Sequence, residues 1–149
     1  MSETRVYVTY IQAAPQKIWD AITKGEITKQ YWVNNANVSD WKPGSAWRHE
    51  DFDTKRLQII GKVVEVNPPK RLVLTWAAPA DENNPAKHSR VTFDIEPYEE
   101  GAKLTVTHAD LEPGSDMLRG ISRGWPFVLS NMKSFLEHGR VMKKIWPKE

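Results

Sequence analysis

Residues 115–139, SDMLRGISRGWPFVLSNMKSFLEHG, decide the fold. Apolar side chains recur in this stretch at spacings of three and four, which is the period of one helix face. The members of this apolar stripe are Leu118, Ile121, Trp125, Val128, Leu129, Met132, Phe135 and Leu136. Gly139 is a typical helix stop. Pro126 leaves two starts open: a helix from near Arg123 with the proline in its first turn, or a longer, kinked helix from near Ser115.

The residues before this helix alternate between apolar and polar with period two, which indicates strands. We predict strands over residues 5–11, 36–41, 46–52, 57–66, 71–77, 91–96 and 104–108. Short turns such as Lys42-Pro43-Gly44-Ser45 and Glu99-Glu100-Gly101 join consecutive strands, so the sheet should be an antiparallel meander. Two short helices interrupt the pattern after the first strand: one opens at Ala14-Pro15, and the other covers residues 27–32.

A sheet of this length needs an apolar cover, and the terminal helix is the only element large enough to supply it. We therefore predict one α+β domain over residues 1–149, in which a curved antiparallel sheet wraps around a long C-terminal helix. Such a sheet commonly leaves a space beneath the helix, and spaces of this kind bind small molecules.

The composition excludes several classes of function. The formal charge of +2 and 27% charged residues offer no concentrated basic face for nucleic acid. No stretch approaches the roughly 18 apolar residues of a membrane span, and the chain has no cysteine, so we expect a cytoplasmic protein. No cofactor motif is present, and the four histidines lack metal-ligand spacing, so we expect no cofactor and no metal. Seven tryptophans indicate an aromatic core or an aromatic-lined pocket.

Several short segments carry a resemblance to a known family. They are APQKIWDAIT (14–23), WKPGS (41–45), GKVVEV (61–66), PPKRL (68–72), TW (75–76) and residues 124–137, which begin with GWP. In this order and spacing the chain resembles the activator of heat shock protein 90 ATPase homologue family, within the START-like (SRPBCC) superfamily. The resemblance implies a helix-grip (START/Bet v 1-like) fold with a hydrophobic cavity. That superfamily includes lipid carriers, hormone-binding proteins, polyketide cyclases and co-chaperone domains, so the fold alone does not select an activity.

The candidate cavity residues come from the sheet face and the helix face that must meet. They are Trp32, Trp47, His49, Ile59, Trp76, Phe93, His108, Ile121, Trp125, Leu129 and Met132. Aromatic and methionine surfaces suit flat or apolar ligands.

The candidate catalytic residues are His108, His49 and Asp51. His108 is in phase with inward-facing positions of its strand, so it could orient a ligand or act as a general base. The alternative is a histidine satisfied at the strand end. Trp47, His49 and Asp51 would form an inward row in one register, whereas a slip of one residue would instead turn Arg48 and Glu50 inward.

Three functions remain open from the sequence. The first is a protein that encloses a hydrophobic or aromatic small molecule. The second is a cyclase or hydrolase that uses His108, or His49 with Asp51. The third is a co-chaperone-like interaction domain that contacts a chaperone. Trp146, in an otherwise polar tail, suggests a docking contact within the chain or in a homodimer.

Overall fold

The computed structural model describes residues 1–142. The strands are β1 (Glu3–Ile11), β2 (Asn35–Ser39), β3 (Ala46–Asp51), β4 (Leu57–Asn67), β5 (Arg71–Trp76), β6 (Ser89–Tyr98) and β7 (Gly101–Leu111). The helices are α1 (Pro15–Thr23), α2 (Gly25–Tyr31) and α3 (Asp116–His138), and two short 3-10 turns, Pro79–Asp81 and Pro85–Lys87, follow β5. Trp146 lies outside the described residues.

All strand pairs are antiparallel, and the sheet has the order β1-β7-β6-β5-β4-β3-β2. Six of the seven strands are therefore a meander in chain order, and β1 returns to pair with the last strand. The curved sheet, the two short helices and the long terminal helix confirm the predicted α+β helix-grip architecture. Within residues 1–142, no helix is long and apolar enough to cross a membrane.

The terminal helix adopts the longer of the two alternatives. Its first turn is capped by Ser115, whose side chain accepts a hydrogen bond from the backbone N–H of Leu118 at 3.1 Å. Pro126 is consequently inside the helix and not in its first turn. Gly139 ends the helix in the left-handed region at φ 74°, as its position predicted.

The hydrophobic core lies between the sheet and α3. Alternate residues of β5, β6 and β7 face this core, as the period-two pattern requires, and Leu72, Phe93 and Val106 are almost fully buried there. The buried face of α3 meets them through Trp125, whose ring centroid lies 5.9 Å from that of Phe93. Helix α1 adds Ile18 and Ile22 to the same cluster.

The indole of Trp47, on β3, passes over Gly61 of β4 and reaches β5. Gly61 is paired with Trp47 of β3, and the Trp47 indole N–H donates to the carbonyl oxygen of Thr75 at 2.7 Å. A Cβ at Gly61 would lie 1.9 Å from that oxygen and 2.5 Å from the indole nitrogen. The absence of a side chain at Gly61 is therefore a condition for the buried position of Trp47.

The outward face of β1 carries an exposed apolar row. Val6, Val8 and Tyr10 are 58%, 48% and 46% exposed. The Tyr10 ring packs against Tyr98 with a centroid distance of 4.9 Å. An apolar row of this kind is a candidate contact surface for another protein.

Candidate functional site

A cavity of about 440 Å³ lies under α3. Its wall combines the end of α2, the strands β2 to β5 and one face of α3. The described wall residues are Trp32, Val33, Asn35, His49, Gln58, Ile59, Trp76, Gly120, Ile121, Gly124, Trp125 and Val128. The volume is within the roughly 300–1,000 Å³ that small-molecule sites occupy.

Three indoles dominate the wall. The ring centroid of Trp32 lies 5.4 Å from that of Trp125 and 6.4 Å from that of Trp76, and Trp76 lies 5.6 Å from Trp125. Each comes from a different element: the end of α2, strand β5 and helix α3. All three are at most 5% exposed. The cavity therefore offers flat, polarisable surfaces that are already held in place by one another.

Two glycines make room on the helix side of the cavity. Gly120 and Gly124 are four residues apart, so they lie one above the other on the face of α3 that lines the cavity. A Cβ at Gly120 would have no neighbouring atom within 4 Å. The space beside the helix at Gly120 is therefore one that a side chain could partly fill.

His49 is buried in the wall with one nitrogen engaged. Its Nδ1 lies 2.7 Å from Oδ1 of Asn37, and its ring centroid lies 4.6 Å from that of Trp32. Burial lowers the pKa of His49 to about 3. The imidazole is therefore neutral near pH 7. Trp47 and His49 are 2% and 4% exposed and face inward, as one of the two predicted registers requires. The pairing of β3 with β4 shifts after His49, and Glu50 is buried as well.

His108 is buried with both ring nitrogens engaged. Trp125 donates its indole N–H to Nδ1 of His108 at 3.1 Å, so the proton must be on Nε2. Nε2 then donates to Oγ of Ser89 at 2.8 Å, and that hydroxyl donates to the carbonyl oxygen of Trp76 at 3.0 Å. Burial lowers the pKa of His108 to about 3. Neither nitrogen has a free lone pair, so this histidine orients Trp125 and is not placed to act as a base.

Asp51 does not extend the inward row of β3. Its Oδ1 accepts hydrogen bonds from the backbone N–H groups of Asp53 and Thr54 at 2.9 and 2.8 Å. These bonds lower the pKa of the Asp51 carboxyl. It therefore caps the turn after β3, and the structure does not bring it together with His108. In the described part of the chain, no group of three or more His, Asp or Glu side chains could hold a metal ion.

The structure divides the eleven candidate cavity residues into two sets. On the cavity wall are Trp32, His49, Ile59, Trp76, Ile121 and Trp125. In the core behind it, and not among the wall residues, are Trp47, Phe93, His108, Leu129 and Met132. All five are at most 4% exposed.

Sequence reasoning missed the wall residues Val33, Asn35, Gln58, Gly120, Gly124 and Val128. A signal existed for the glycines, since they lie beside Ile121 and Trp125 on the apolar side of the helix. Glycine is unfavourable inside a helix by about 1 kcal/mol relative to alanine. Two glycines one turn apart on the apolar face of a helix therefore indicate a gap beside that helix.

The comparisons with known proteins agree with this fold. A model of the family described as "Activator of Hsp90 ATPase homolog 1-like protein" matches residues 12–137. The chain belongs to this family. No curated protein matches the chain.

Solved structures share the fold of this chain at low sequence identity. Protein MLL2253 from Mesorhizobium loti is 24% identical with a TM-score of 0.74, over 90% of this chain and 96% of that one. The Aha1 dimer from Colwellia psychrerythraea is 22% identical with a TM-score of 0.73, over 92% and 98%. An HSP90 activator from Plasmodium falciparum is 22% identical with a TM-score of 0.71, over 91% and 96%.

Proposed function

We propose that this protein is a small-molecule binding protein that encloses an apolar, flat ligand in the cavity under α3. The observation that carries the proposal is a space of about 440 Å³ walled by the three indoles of Trp32, Trp76 and Trp125. A core that only stabilises the fold would be packed to near-crystalline density. Here the helix instead omits side chains at Gly120 and Gly124, where a methyl group at Gly120 would touch nothing.

Binding is favoured over catalysis because the structure does not bring an acid and a base together beside the cavity. Both ring nitrogens of His108 are already hydrogen-bonded to other side chains, and the Asp51 carboxylate caps a turn. His49 remains beside the cavity, but it has no second titratable partner among the wall residues that the structure describes. A mechanism in which an acid and a base act together would need at least one further titratable group in reach of the ligand.

The first test is native mass spectrometry of the protein purified from its own host, followed by extraction and identification of the bound molecule. We expect a stoichiometric apolar ligand on the wild type and on Gly120→Ala, the matched control. Gly120→Phe should lose it, because its ring occupies the cavity. A ligand at 100 times its Kd raises the stability by about 2.7 kcal/mol, which corresponds to roughly 5–10 °C in Tm.

The proposal fails if the wild-type mass is that of the free chain and no member of an apolar and aromatic library raises Tm. It also fails if Gly120→Phe, still folded, binds as well as the wild type. Cell fractionation tests the cytoplasmic location, which is part of the proposal.

A co-chaperone role is the second candidate function. It is supported by the family description, by the HSP90 activator from Plasmodium falciparum with the same fold, and by the exposed row of Val6, Val8 and Tyr10. We expect this role to raise the ATPase rate of the Hsp90 protein from the same organism, and Val8→Lys to abolish the effect. An unchanged rate at saturating concentrations would exclude it.

Homodimer formation through the same face is a further part of this second candidate. The Aha1 protein from Colwellia psychrerythraea with this fold is a dimer. Light scattering should give twice the chain mass for the wild type and the single-chain mass for Val8→Lys. A monomeric wild type would remove the dimer from the proposal.

A further inference from the structure

The cavity wall contains polar atoms that could form hydrogen bonds with a ligand. The first of these atoms belongs to His49. Nδ2 of Asn37 donates to the carbonyl oxygen of Ile22 at 2.8 Å, so the amide must turn its oxygen toward His49. An oxygen can only accept, and Nδ1 of His49 must therefore carry the proton. The second nitrogen, Nε2, is then an acceptor with a lone pair.

This lone pair has no partner within the part of the chain that the structure describes. His49 is 4% exposed, and its only hydrogen bond there is the one from Nδ1 to Asn37. The low pKa that burial imposes on His49 keeps Nε2 unprotonated across the physiological range. A group that donates a hydrogen bond would satisfy it.

Two wall residues, Trp76 and Asn35, carry buried polar atoms without partners. The indole N–H of Trp76 has no acceptor, and Oδ1 of Asn35 has no donor. More than about nine in ten buried polar groups in native proteins are paired with protein or ordered water. Together with the free lone pair of His49, these two atoms on the wall of one cavity indicate that its occupant has polar groups of its own.

The wall also lacks charge. None of its described residues is Asp, Glu, Lys or Arg, and the one histidine is neutral. An ionised carboxylate placed here would lose its hydration without gaining a cation. The site thus discriminates against anionic ligands of the same shape and size.

We propose that the cavity selects a neutral, flat aromatic molecule of the phenol class, whose hydroxyl donates a hydrogen bond to Nε2 of His49 while its ring lies among the three indoles. This inference rests on the proposed binding function. It adds the requirement for one hydrogen-bond donor and the exclusion of a carboxylate.

A matched series of three probes tests it: 2-naphthol, naphthalene and 2-naphthoate, which share one ring system. Equilibrium dialysis at pH 7 with ultraviolet detection measures each Kd. We expect 2-naphthol to bind roughly threefold to tenfold more tightly than naphthalene, the range that one net hydrogen bond gives. We expect 2-naphthoate to bind at least about tenfold more weakly than 2-naphthol.

Two further measurements connect the preference with His49. In His49→Phe the affinities for 2-naphthol and naphthalene should become equal. In the wild type, nitrogen NMR should show the unprotonated nitrogen of His49 shifting on addition of 2-naphthol and not on addition of naphthalene. The NMR measurement needs no substitution, so it decides the point even where His49→Phe does not fold.

The outcomes separate this inference from the proposed function. Equal binding of 2-naphthol and naphthalene, tighter binding of 2-naphthoate, or an unmoved His49 resonance would overturn the inference and leave a binding protein of another selectivity. Binding of none of the three probes, with no ligand carried from the host, would overturn both.

Discussion

Gly61→Ala should destabilise the protein more than any other single methyl group added to a glycine of the sheet. The new Cβ would lie 1.9 Å from the Thr75 carbonyl oxygen, whereas ordinary contacts begin near 3.4 Å. Strand β5 or the Trp47 indole must therefore move by more than 1 Å. That movement breaks the 2.7 Å hydrogen bond from Trp47 to Thr75. A buried donor without its acceptor costs about 1–3 kcal/mol, and the overpacking costs about 1–3 kcal/mol more.

The expected loss is then about 2–6 kcal/mol from a total stability of about 5–15 kcal/mol. At about 2–4 °C for each kcal/mol in a chain of this size, Tm should fall by roughly 5–20 °C in differential scanning calorimetry. Gly120→Ala is the matched control, because the same methyl group meets open space in a helix. It should raise stability by about 1 kcal/mol. If Gly61→Ala were as stable as the wild type, the pairing of Trp47 with Gly61 would be wrong.

Three further predictions follow from the capping and the buried histidines. Ser115→Ala should lower stability by about 0.5–2 kcal/mol because α3 loses its N-cap. In urea denaturation Ser130→Ala, at an exposed position inside the same helix, should instead raise stability by a few tenths of a kcal/mol, and equal effects of the two substitutions would contradict the cap. Trp125→Phe should cost about 1–3 kcal/mol because Nδ1 of His108 loses its donor, and a double-mutant cycle with His108→Ala should show coupling above about 0.5 kcal/mol. The wild type should lose stability as the pH falls from about 6.5 toward 3, with a slope that reaches about 1.4 kcal/mol per pH unit for each buried histidine below about pH 5.5, because the unfolded state binds the proton first. His49→Gln should reduce this slope by about half, and an unchanged slope would show that the imidazole is not neutral in the fold.

The period of the apolar pattern was sufficient to predict the architecture. Apolar residues at every second position of a strand, such as Leu72, Leu74 and Trp76, predict the buried face of that strand. The structure confirms that these three side chains lie in the core. The start of α3 was open because Pro126 is acceptable in a first turn and costly inside a helix. Tertiary packing of Trp125 and the cap at Ser115 outweigh that cost, and neither term can be read from helix propensity.

The candidate site was less accessible from the sequence because its chemistry depends on distant partners. The role of His108 is set by Ser89 and Trp125, which lie 19 and 17 residues away in opposite directions along the chain. The orientation of His49 depends on the register of β3, and a shift of one residue would invert it. The apolar period of a strand predicts only which face of the sheet a histidine lies on. Whether one of its ring nitrogens is free depends on hydrogen bonds to residues that are distant in the sequence.

The glycines of α3 have a consequence for how the protein can diverge. Alanine is one nucleotide from every glycine codon, and at Gly120 its Cβ would have no neighbouring atom within 4 Å. Helix propensity even favours this replacement by about 1 kcal/mol. The volume of the cavity can therefore shrink in small steps while the scaffold becomes more stable. Related chains that bind smaller molecules could arise from this one by drift at Gly120, with the sheet left as it is.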